Sequence, residues 1–503
     1  MRKEAALMNG SAYILVVIGI LVAKCLGFVR DIIFASVFGA SEYTDIYFQV
    51  FGLASLVFTG VGAALSILII KNLNKPENLG TENQKRYVAQ FMTKTALLVL
   101  LVTVLLYLFA GPIVRILLPG LQDDLFAVAV QTMYIMLPSC LFVILAYIMS
   151  GVLQNCKVFF ITSVMSLPYN VLIIAALLFE NISLTTVSIL TTIGWFLHIV
   201  ILLPSFHKNG YRLFGKLQKA SRGENNREVL YIFISSMMFQ LMFMIDKASV
   251  SSDTGAASTL NYASNLFIAI SSVFVVAMSN VSYPSICRCY ENGNHAQVRK
   301  ILQYIMTVLS AIFVPFVLTV TCFGREIISL LYERGEFTQA LSIETAALFC
   351  IYTFGILGYV CQELFNKVLY LASKYSYTVI GTLLVVLSKP LINLMILQKG
   401  GVIAVAISTT ILFTLYAICI LFALRKVVGN YFNKDLAVNL AKILLAGLAA
   451  LGTYLLCTRL PLPMQDSKLG FIVPLGLCAI VYAIVLLCTG SVKYIIQNKD
   501  NTL

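Results

Sequence analysis

Charge is what this 503-residue sequence has least of. Only 11% of its side chains are Asp, Glu, Lys or Arg, where a soluble domain carries roughly 25%. So few charges cannot cover a water-facing surface for a chain this long, which excludes a soluble globular protein. The signatures of covalent catalysis are also missing. There are three histidines, His198, His207 and His295, and no GxSxG elbow, Walker loop or HExxH helix. Lacking a nucleotide-binding segment, the chain is not expected to be a self-contained ATP-driven pump. Its twelve cysteines are scattered, several inside apolar runs (Cys25, Cys140, Cys350, Cys419, Cys457, Cys478, Cys488), where the residue behaves as a small hydrophobe, so no disulfide framework is implied. Cys287-Arg288-Cys289 with His295 nearby resembles a metal cluster but lacks paired ligands at zinc spacing, and no metal or other cofactor is expected. No cleavable signal peptide is read either, since the first apolar segment outruns a 7–15-residue apolar core.

What the chain does have is apolar length. It is 60% hydrophobic, with a mean hydropathy of +0.92. Apolar runs fall near 10–38, 43–70, 88–116, 124–152, 158–179, 183–206, 228–250, 257–284, 300–331, 340–371, 376–397, 401–424, 436–457 and 470–490. At about 20 residues per crossing these make an all-α polytopic membrane protein with about fourteen transmembrane helices. The net charge of +13 then records the positive-inside rule rather than a nucleic-acid partner. With Arg2 and Lys3 in the cytoplasm, the basic turns Lys71 to Arg86, Lys208 to Arg227, Arg288 to Lys300 and Arg425 to Lys434 share that side, so both termini are expected to be cytoplasmic.

The longest hydrophilic break, His207 to Glu228, divides the spans into six and eight. The expected organisation is an N-lobe (1–206, spans 1–6), a cytoplasmic basic linker (207–228), a C-lobe (229–427, spans 7–12) and a C-terminal helix pair (428–503, spans 13–14). A weak internal echo supports two six-helix lobes. Val152-Leu153 followed by Lys157 recurs as Val368-Leu369 followed by Lys374, and Asn170-Val-Leu-Ile recurs as Asn393-Leu-Met-Ile. Transporters build sites from such repeats.

Ionisable groups inside spans cost at least ~2.5–3.5 kcal/mol each near the bilayer centre and are therefore the functional candidates. In the first span, Lys24 and Asp31 share a helix face and Arg30 lies about 120° round, with Gly27 between them to permit a bend. One reading is a cationic pocket for an anionic headgroup; the other is that Arg30 and Asp31 snorkel to the rim. Asp45 opens the second span beside Tyr47, as a site residue or as an interfacial helix start. Asp246-Lys247 interrupts the seventh span, and Lys389-Pro390, with Asn393 one turn on, interrupts the eleventh. Asp246 and Lys389 read either as an ion-coupling site or as an internal salt bridge.

Four segments, in order, resemble the MurJ/MviN family of lipid II flippases in the MOP exporter superfamily. They are KCLGFVRDIIFASVFGASEYTDIYF (Lys24 to Phe48), MLPSCLFVILAYIMSGVLQNCKVF (Met136 to Phe159), LNYASNLFIAISSVFVVAMSNVSYPSI (Leu260 to Ile286) and LLYERGEFT (Leu330 to Thr338). The resemblance implies two six-helix lobes around a central cavity and a final helix pair forming a hydrophobic groove. It further implies an undecaprenyl-diphosphate-linked peptidoglycan precursor moved from the inner to the outer leaflet by alternating access, in a bacterial cell membrane. Arg30 matches a cavity arginine of that family, Lys24 stands where another is usual, and Asp45 matches its second-span aspartate. Val57 and Asn265 stand where arginines are common, so two of four cavity cations are absent. Asp246 is similar to an aspartate that binds sodium in some members. Lys389 and Asn393 stand near its partner positions, with Thr409 as a third, so the lysine ammonium is expected to replace the metal ion. The substrate-binding candidates are therefore Lys24, Arg30, Asp31, Asp45 and Asn265; the ion-coupling or salt-bridge candidates are Asp246, Lys389, Asn393 and Thr409. The partners implied are a lipid-linked diphosphate saccharide, membrane lipid and cell-wall synthesis proteins, with no nucleic acid. The rival readings are a flippase for another polyprenyl-diphosphate oligosaccharide, of capsule or O-antigen type, and a MATE-like cation-coupled exporter. A membrane-embedded glycosyltransferase stands further off, since the external turns are short; the expected protein is a transporter and not an enzyme.

Overall fold

Inside a bilayer every backbone N–H and C=O must find its partner within the protein, which leaves helices or closed barrels. In this computed structural model the described residues (10–73, 80–179, 182–216, 231, 240–459 and 470–502) contain helices and no strand. In chain order these are α1 (Gly10–Phe38), α2 (Glu42–Phe51), a π-helical turn (Gly52–Val57), α3 (Phe58–Leu73), α4 (Thr81–Leu108), α5 (Ala110–Leu117), α6 (Asp123–Met136) and α7 (Ser139–Asn155). The short α8 (Phe160–Ser163) leads to α9 (Leu167–Leu177) and α10 (Leu184–Lys208), and α11 covers 240–249. Then come α12 (Ala256–Glu291), α13 (His295–Tyr332), α14 (Gln339–Phe354), α15 (Ile356–Leu371), α16 (Tyr375–Val428), α17 (Lys434–Cys457), α18 (Ile472–Cys488) and α19 (Ser491–Thr502).

Ten helical stretches among the described residues are long and apolar enough to cross a membrane. They become twelve when the bent pairs α14/α15, at 47°, and α18/α19, at 66°, each count as one span. The 29-residue α1 lies on the first apolar run, and α11 lies within the seventh, of which residues 232–239 are outside the described ones.

Several expected spans turn out to be broken. The run at 43–70 carries the π turn, a feature that frequently marks functional sites. The run at 124–152 breaks at Pro138 between α6 and α7. The eleventh and twelfth runs are two helices, the two halves of α16, that meet at Gly401, whose φ of 55° only glycine adopts readily.

The exposed surfaces are what lipid requires. On the first half of α16, Ile380, Leu384, Leu387, Leu391 and Leu394 form an exposed stripe spaced four and three residues apart, while Thr378, Thr382, Lys389 and Asn393 on the other face are buried. A soluble helix has the reverse pattern.

The chain divides into two compact units, Met1–Asn261 and Tyr262–Leu503. This boundary differs from the expected one at 207–228, a segment of which 217–228 lies outside the described residues. The reason is that α11, expected in the C-lobe, is fastened to α2: Gln49 Nε2 donates to the Met244 carbonyl at 3.0 Å and Lys247 Nζ to the Phe48 carbonyl at 3.3 Å. In the second unit the terminal pair is not a separate body. Tyr482 on α18 donates to the Ala311 carbonyl of α13 at 2.9 Å, over a core of Ile443, Ala446, Ala450, Tyr482 and Leu486.

The two units share a detail that extends the sequence echo. In the first, Gly210 follows α10 with φ of 81° and a Cβ there would meet Lys85 of α4 at 2.7 Å; in the second, Gly429 follows α16 with φ of 87° and a Cβ would meet Arg299 of α13 at 3.0 Å. α10 and α16 are therefore each followed by a left-handed glycine set against a basic side chain near the start of an earlier helix, α4 and α13 respectively.

Candidate functional site

The first cluster forms where α1 meets α9 and α10. Gly27 faces Asn170 of α9, and a Cβ there would lie 3.7 Å from its amide, in ordinary van der Waals contact. Three residues further along α1, the Arg30 guanidinium finds Asp31 and Asn170. Nε and Nη2 donate to Asp31 Oδ1 at 3.0 and 2.6 Å, and Nη1 donates to Asn170 Oδ1 at 3.1 Å. Asn170 Nδ2 returns a hydrogen bond to the Ala23 carbonyl at 3.3 Å, tying the two helices together. The guanidinium lies 5.0 Å from the Tyr169 ring centroid, in cation–π range. Tyr47 hydrogen-bonds Thr191 at 3.0 Å nearby, and Trp195 stacks on His198 at 4.6 Å behind Tyr169.

Asp31, on the Lys24 face of α1, pairs with Arg30, so the expected cationic pocket contains an arginine held by its neighbour's carboxylate. The Arg30 side chain is 19% exposed and that of Asp31 22%. Lys24 is half-buried one helical heptad earlier.

The second cluster surrounds α2. Asp45 is buried, and its carboxylate accepts from the backbone N–H of Gly255 (2.8 Å), the backbone N–H of Ser258 (2.6 Å) and the Ser258 hydroxyl (2.5 Å). The Ser258 hydroxyl also lies 2.8 Å from Thr44 Oγ1. These donors belong to the first turn of α12, where N–H groups have no partner within the helix and a negative charge is favoured. Asp45 is thus a helix cap supplied from α2, a task sequence reasoning did not assign to it.

One turn on, the fully buried Gln49 donates to the Leu117 and Met244 carbonyls at 2.8 and 3.0 Å. Lys247 of α11, buried too, donates to Asn261 Oδ1 and the Phe48 carbonyl, both at 3.3 Å. A Cβ at Gly52 would sit 3.3 Å from Met244 and 3.5 Å from the Lys247 ammonium, so this glycine permits the close approach of α11. Asp246, beside Lys247, is completely buried. The side chain of Val57, in the π turn, lies outside the described ones.

The third cluster lies in the second unit, at the proline of α16. Lys389 is fully buried, and its ammonium donates to the Val405 carbonyl (3.2 Å), to Thr409 Oγ1 (2.6 Å) and to Ser408 Oγ. Ser408 in turn donates to Asn393 Oδ1 at 2.9 Å. Lys389, Asn393 and Thr409 are therefore brought together as expected, and Ser408 joins them unannounced. The two asparagines of the sequence echo have matching duties: Asn170 accepts from a buried cation, and Asn393 accepts from the hydroxyl that holds one. Asn265, on α12, is half-buried.

A fourth cluster was missed. On α15, Glu363 and Lys367 stand four residues apart in an apolar span, and Lys367 Nζ donates to Ser279 Oγ of α12 at 2.7 Å. Carboxylate-then-lysine at i,i+4 is a recognisable helix pairing and would have been the signal. Among the described residues no group of three His, Cys, Asp or Glu side chains could hold a metal ion.

Broken spans with polar clusters at the breaks and apolar stripes outside are the build of a multi-pass membrane transporter. Solved structures share this fold. A lipid II flippase MurJ in an inward closed conformation superposes with a TM-score of 0.79, at 22% identity, over 95% of this chain and 99% of that one. An inward-facing multidrug resistance MATE family transporter of the MOP superfamily gives 0.63, at 13% identity, over 81% and 95%.

The family model for the lipid II flippase MurJ matches residues 34–476, and the chain belongs to that family. A probable lipid II flippase MurJ from Thermotoga maritima is 23% identical over 88% of this chain and 89% of its own length; that from Buchnera aphidicola subsp. Acyrthosiphon pisum is 23% identical over 78% and 79%. The lipid II flippase MurJ of Burkholderia cenocepacia is 24% identical over 67% and 68%. The family match begins at Phe34, beyond Lys24, Arg30 and Asp31.

Proposed function

We propose that this chain moves lipid II, the undecaprenyl-diphosphate-linked peptidoglycan precursor, from the inner to the outer leaflet of a bacterial cell membrane by alternating access, with both termini cytoplasmic. The observation that carries this reading is the family match over 34–476. The Arg30 cluster supplies the chemistry. A guanidinium fork suits a phosphate better than a lysine does. Asp31 and Asn170 hold the fork in one orientation while no substrate is present. A diphosphate entering the cluster competes with the Asp31 carboxylate for the same N–H groups, so binding exchanges one charge-assisted pair for another and does not leave a bare cation in the span. Lys24, half-buried on the same helix, adds charge without a fork. No bond in the substrate is made or broken, so the protein acts as a transporter and not as an enzyme.

Reconstitution into liposomes with labelled lipid II tests this. Losing a hydrogen bond to a charged group costs about 1.5–3 kcal/mol, so Arg30→Ala is expected to slow flipping roughly 10- to 100-fold. Lys24→Ala should have a smaller effect, and Arg30→Lys should fall between wild type and Arg30→Ala. Equal rates for all four proteins remove Arg30 from the mechanism. The second reading, a flippase for another polyprenyl-diphosphate oligosaccharide, is favoured by Val57 and Asn265 at positions where arginines were expected. Rescue of cells depleted of their lipid II flippase supports lipid II as the substrate; failure of a well-expressed protein to rescue supports the second reading.

A further inference from the structure

At the start of α4 the structure holds a cleft of about 500 Å³ that the transport reading does not use. Its walls are the first turns of α4 and the segment that follows α10. Four cations, Lys85, Arg86, Arg212 and Lys216, line it against one carboxylate, Glu82, which pairs with Lys85 at 3.0 Å. Arg86, Arg212 and Lys216 are exposed.

The cleft has a fixed floor. Gly215 N–H donates to Thr93 Oγ1 at 2.9 Å and the Thr93 hydroxyl lies 3.2 Å from the Gly215 carbonyl, pinning the segment to α4. Gly210 and Gly215 lie so close to α4 that a Cβ would meet Lys85 at 2.7 Å and Ala89 at 2.8 Å. Tyr211 is buried beneath, its phenol pushed up by that burial and set 3.7 Å from Cys156 Sγ.

The surroundings say what kind of anion fits. Phe214 stands 56% exposed in the cleft wall, an aromatic of the type that anchors at the membrane–water interface. Farther along α4 an exposed stripe begins, Leu97, Leu98, Leu101, Leu105 and Leu108. Gln90 in the cleft is seven residues from Leu97, about 10 Å of helix. That is close to the depth of a headgroup layer, about 5–8 Å a side. Lys94, exposed between them, can reach back to the interface. The corresponding corner of the second unit is built differently: Arg299 donates to the Val428 carbonyl at 2.8 Å, and the neighbouring cavity of about 310 Å³ is mostly apolar with Arg425 as its cation.

We propose that this cleft is a binding site for an anionic phospholipid, whose phosphate sits among Lys85, Arg86, Arg212 and Lys216 while its acyl chains run along the leucine stripe of α4.

The test uses the full chain, delipidated in detergent, with phosphatidylglycerol and phosphatidylcholine as probes and native mass spectrometry as the readout. Phosphatidylglycerol should bind in preference to phosphatidylcholine. A juxtamembrane cation near an anionic lipid is worth roughly a factor of five, so Arg86→Gln/Arg212→Gln should weaken phosphatidylglycerol binding about 30-fold. The control Lys426→Gln/Lys434→Gln, with the same loss of charge at the end of α16 and start of α17, should leave binding unchanged, and a thermal melt of each variant checks that it folds. Equal binding by wild type and the cleft variant overturns the proposal. So does an equal loss in the control, which would make the effect one of overall surface charge. Full competition by millimolar pyrophosphate would make the ligand a free phosphate and overturn the lipid assignment. A cleft variant that does not fold is replaced by Lys216→Gln with Arg212→Gln, read in the same way.

Discussion

Asp45 offers a sharp test, because the two roles open to it separate under one substitution. If it caps α12, Asp45→Ala leaves the N–H groups of Gly255 and Ser258 and the Ser258 hydroxyl without their acceptor, in a place that water does not reach easily. Hydrogen bonds to a charged group contribute about 1.5–3 kcal/mol each but are not additive within one network. Losing one partner of a buried charged arrangement costs about 3–5 kcal/mol, and we take that range. At about 2 °C per kcal/mol for a large unit, the melting temperature should fall by roughly 6–10 °C. Asp45→Asn keeps one acceptor oxygen but turns an amide N–H toward a backbone donor, so about half the loss is expected. The buried thiols Cys140, Cys361 and Cys457 provide the assay, since a thiol-reactive dye labels them only as the helices separate. The capping argument fails if Asp45→Ala melts within about 1 °C of wild type while lipid II binding disappears, because the carboxylate would then belong to the substrate and not to α12.

The other expectations concern the second unit. Glu363 and Lys367, half-buried one helical turn apart on α15, should contribute only about 0.5 kcal/mol as an i,i+4 pair, so Glu363→Gln should lower the melting temperature by about 1 °C, whereas Lys367→Met, which loses the hydrogen bond to Ser279, should cost about 1–3 kcal/mol. A melting temperature for Glu363→Gln lower by about 6 °C or more would overturn this, because the two would then act as a buried ion pair. Because Thr409, Ser408 and the Val405 carbonyl are already turned to the Lys389 ammonium, flipping in liposomes should proceed at the same rate when sodium is replaced by potassium. A sodium-dependent rate that is lost in Asp246→Ala would refute this.

The sequence shows which residues sit in a span far better than it shows what they meet. Apolar run length locates the spans because bilayer thickness imposes it on each run separately. The breaks are less legible. Pro390 lies inside α16 without ending it, and the sharp kink falls at Gly401, whose consequence depends on a φ that sequence does not display. Charges behave the same way. Lys24, Arg30, Asp45, Asp246 and Lys389 all stand out as expensive in lipid, and none is fully exposed. Their partners come from 140 positions away for Arg30 and 210 for Asp45, distances over which composition and periodicity carry no signal. Asn170 and Ser258, polar but uncharged, pass as ordinary members of a span until the helix that needs them is in place. The missed pair Glu363 and Lys367 is different, since its spacing was readable. Opposite charges one turn apart on one helix lower the cost of placing either in lipid before any second helix arrives. Opposite charges at i,i+4 within one span are therefore as strong a sign of a site-forming helix as a lone charge, and α15, bearing them and bonded through Lys367 to α12, belongs with α1, α2 and α16 among the helices whose polar faces a transport cycle has to accommodate.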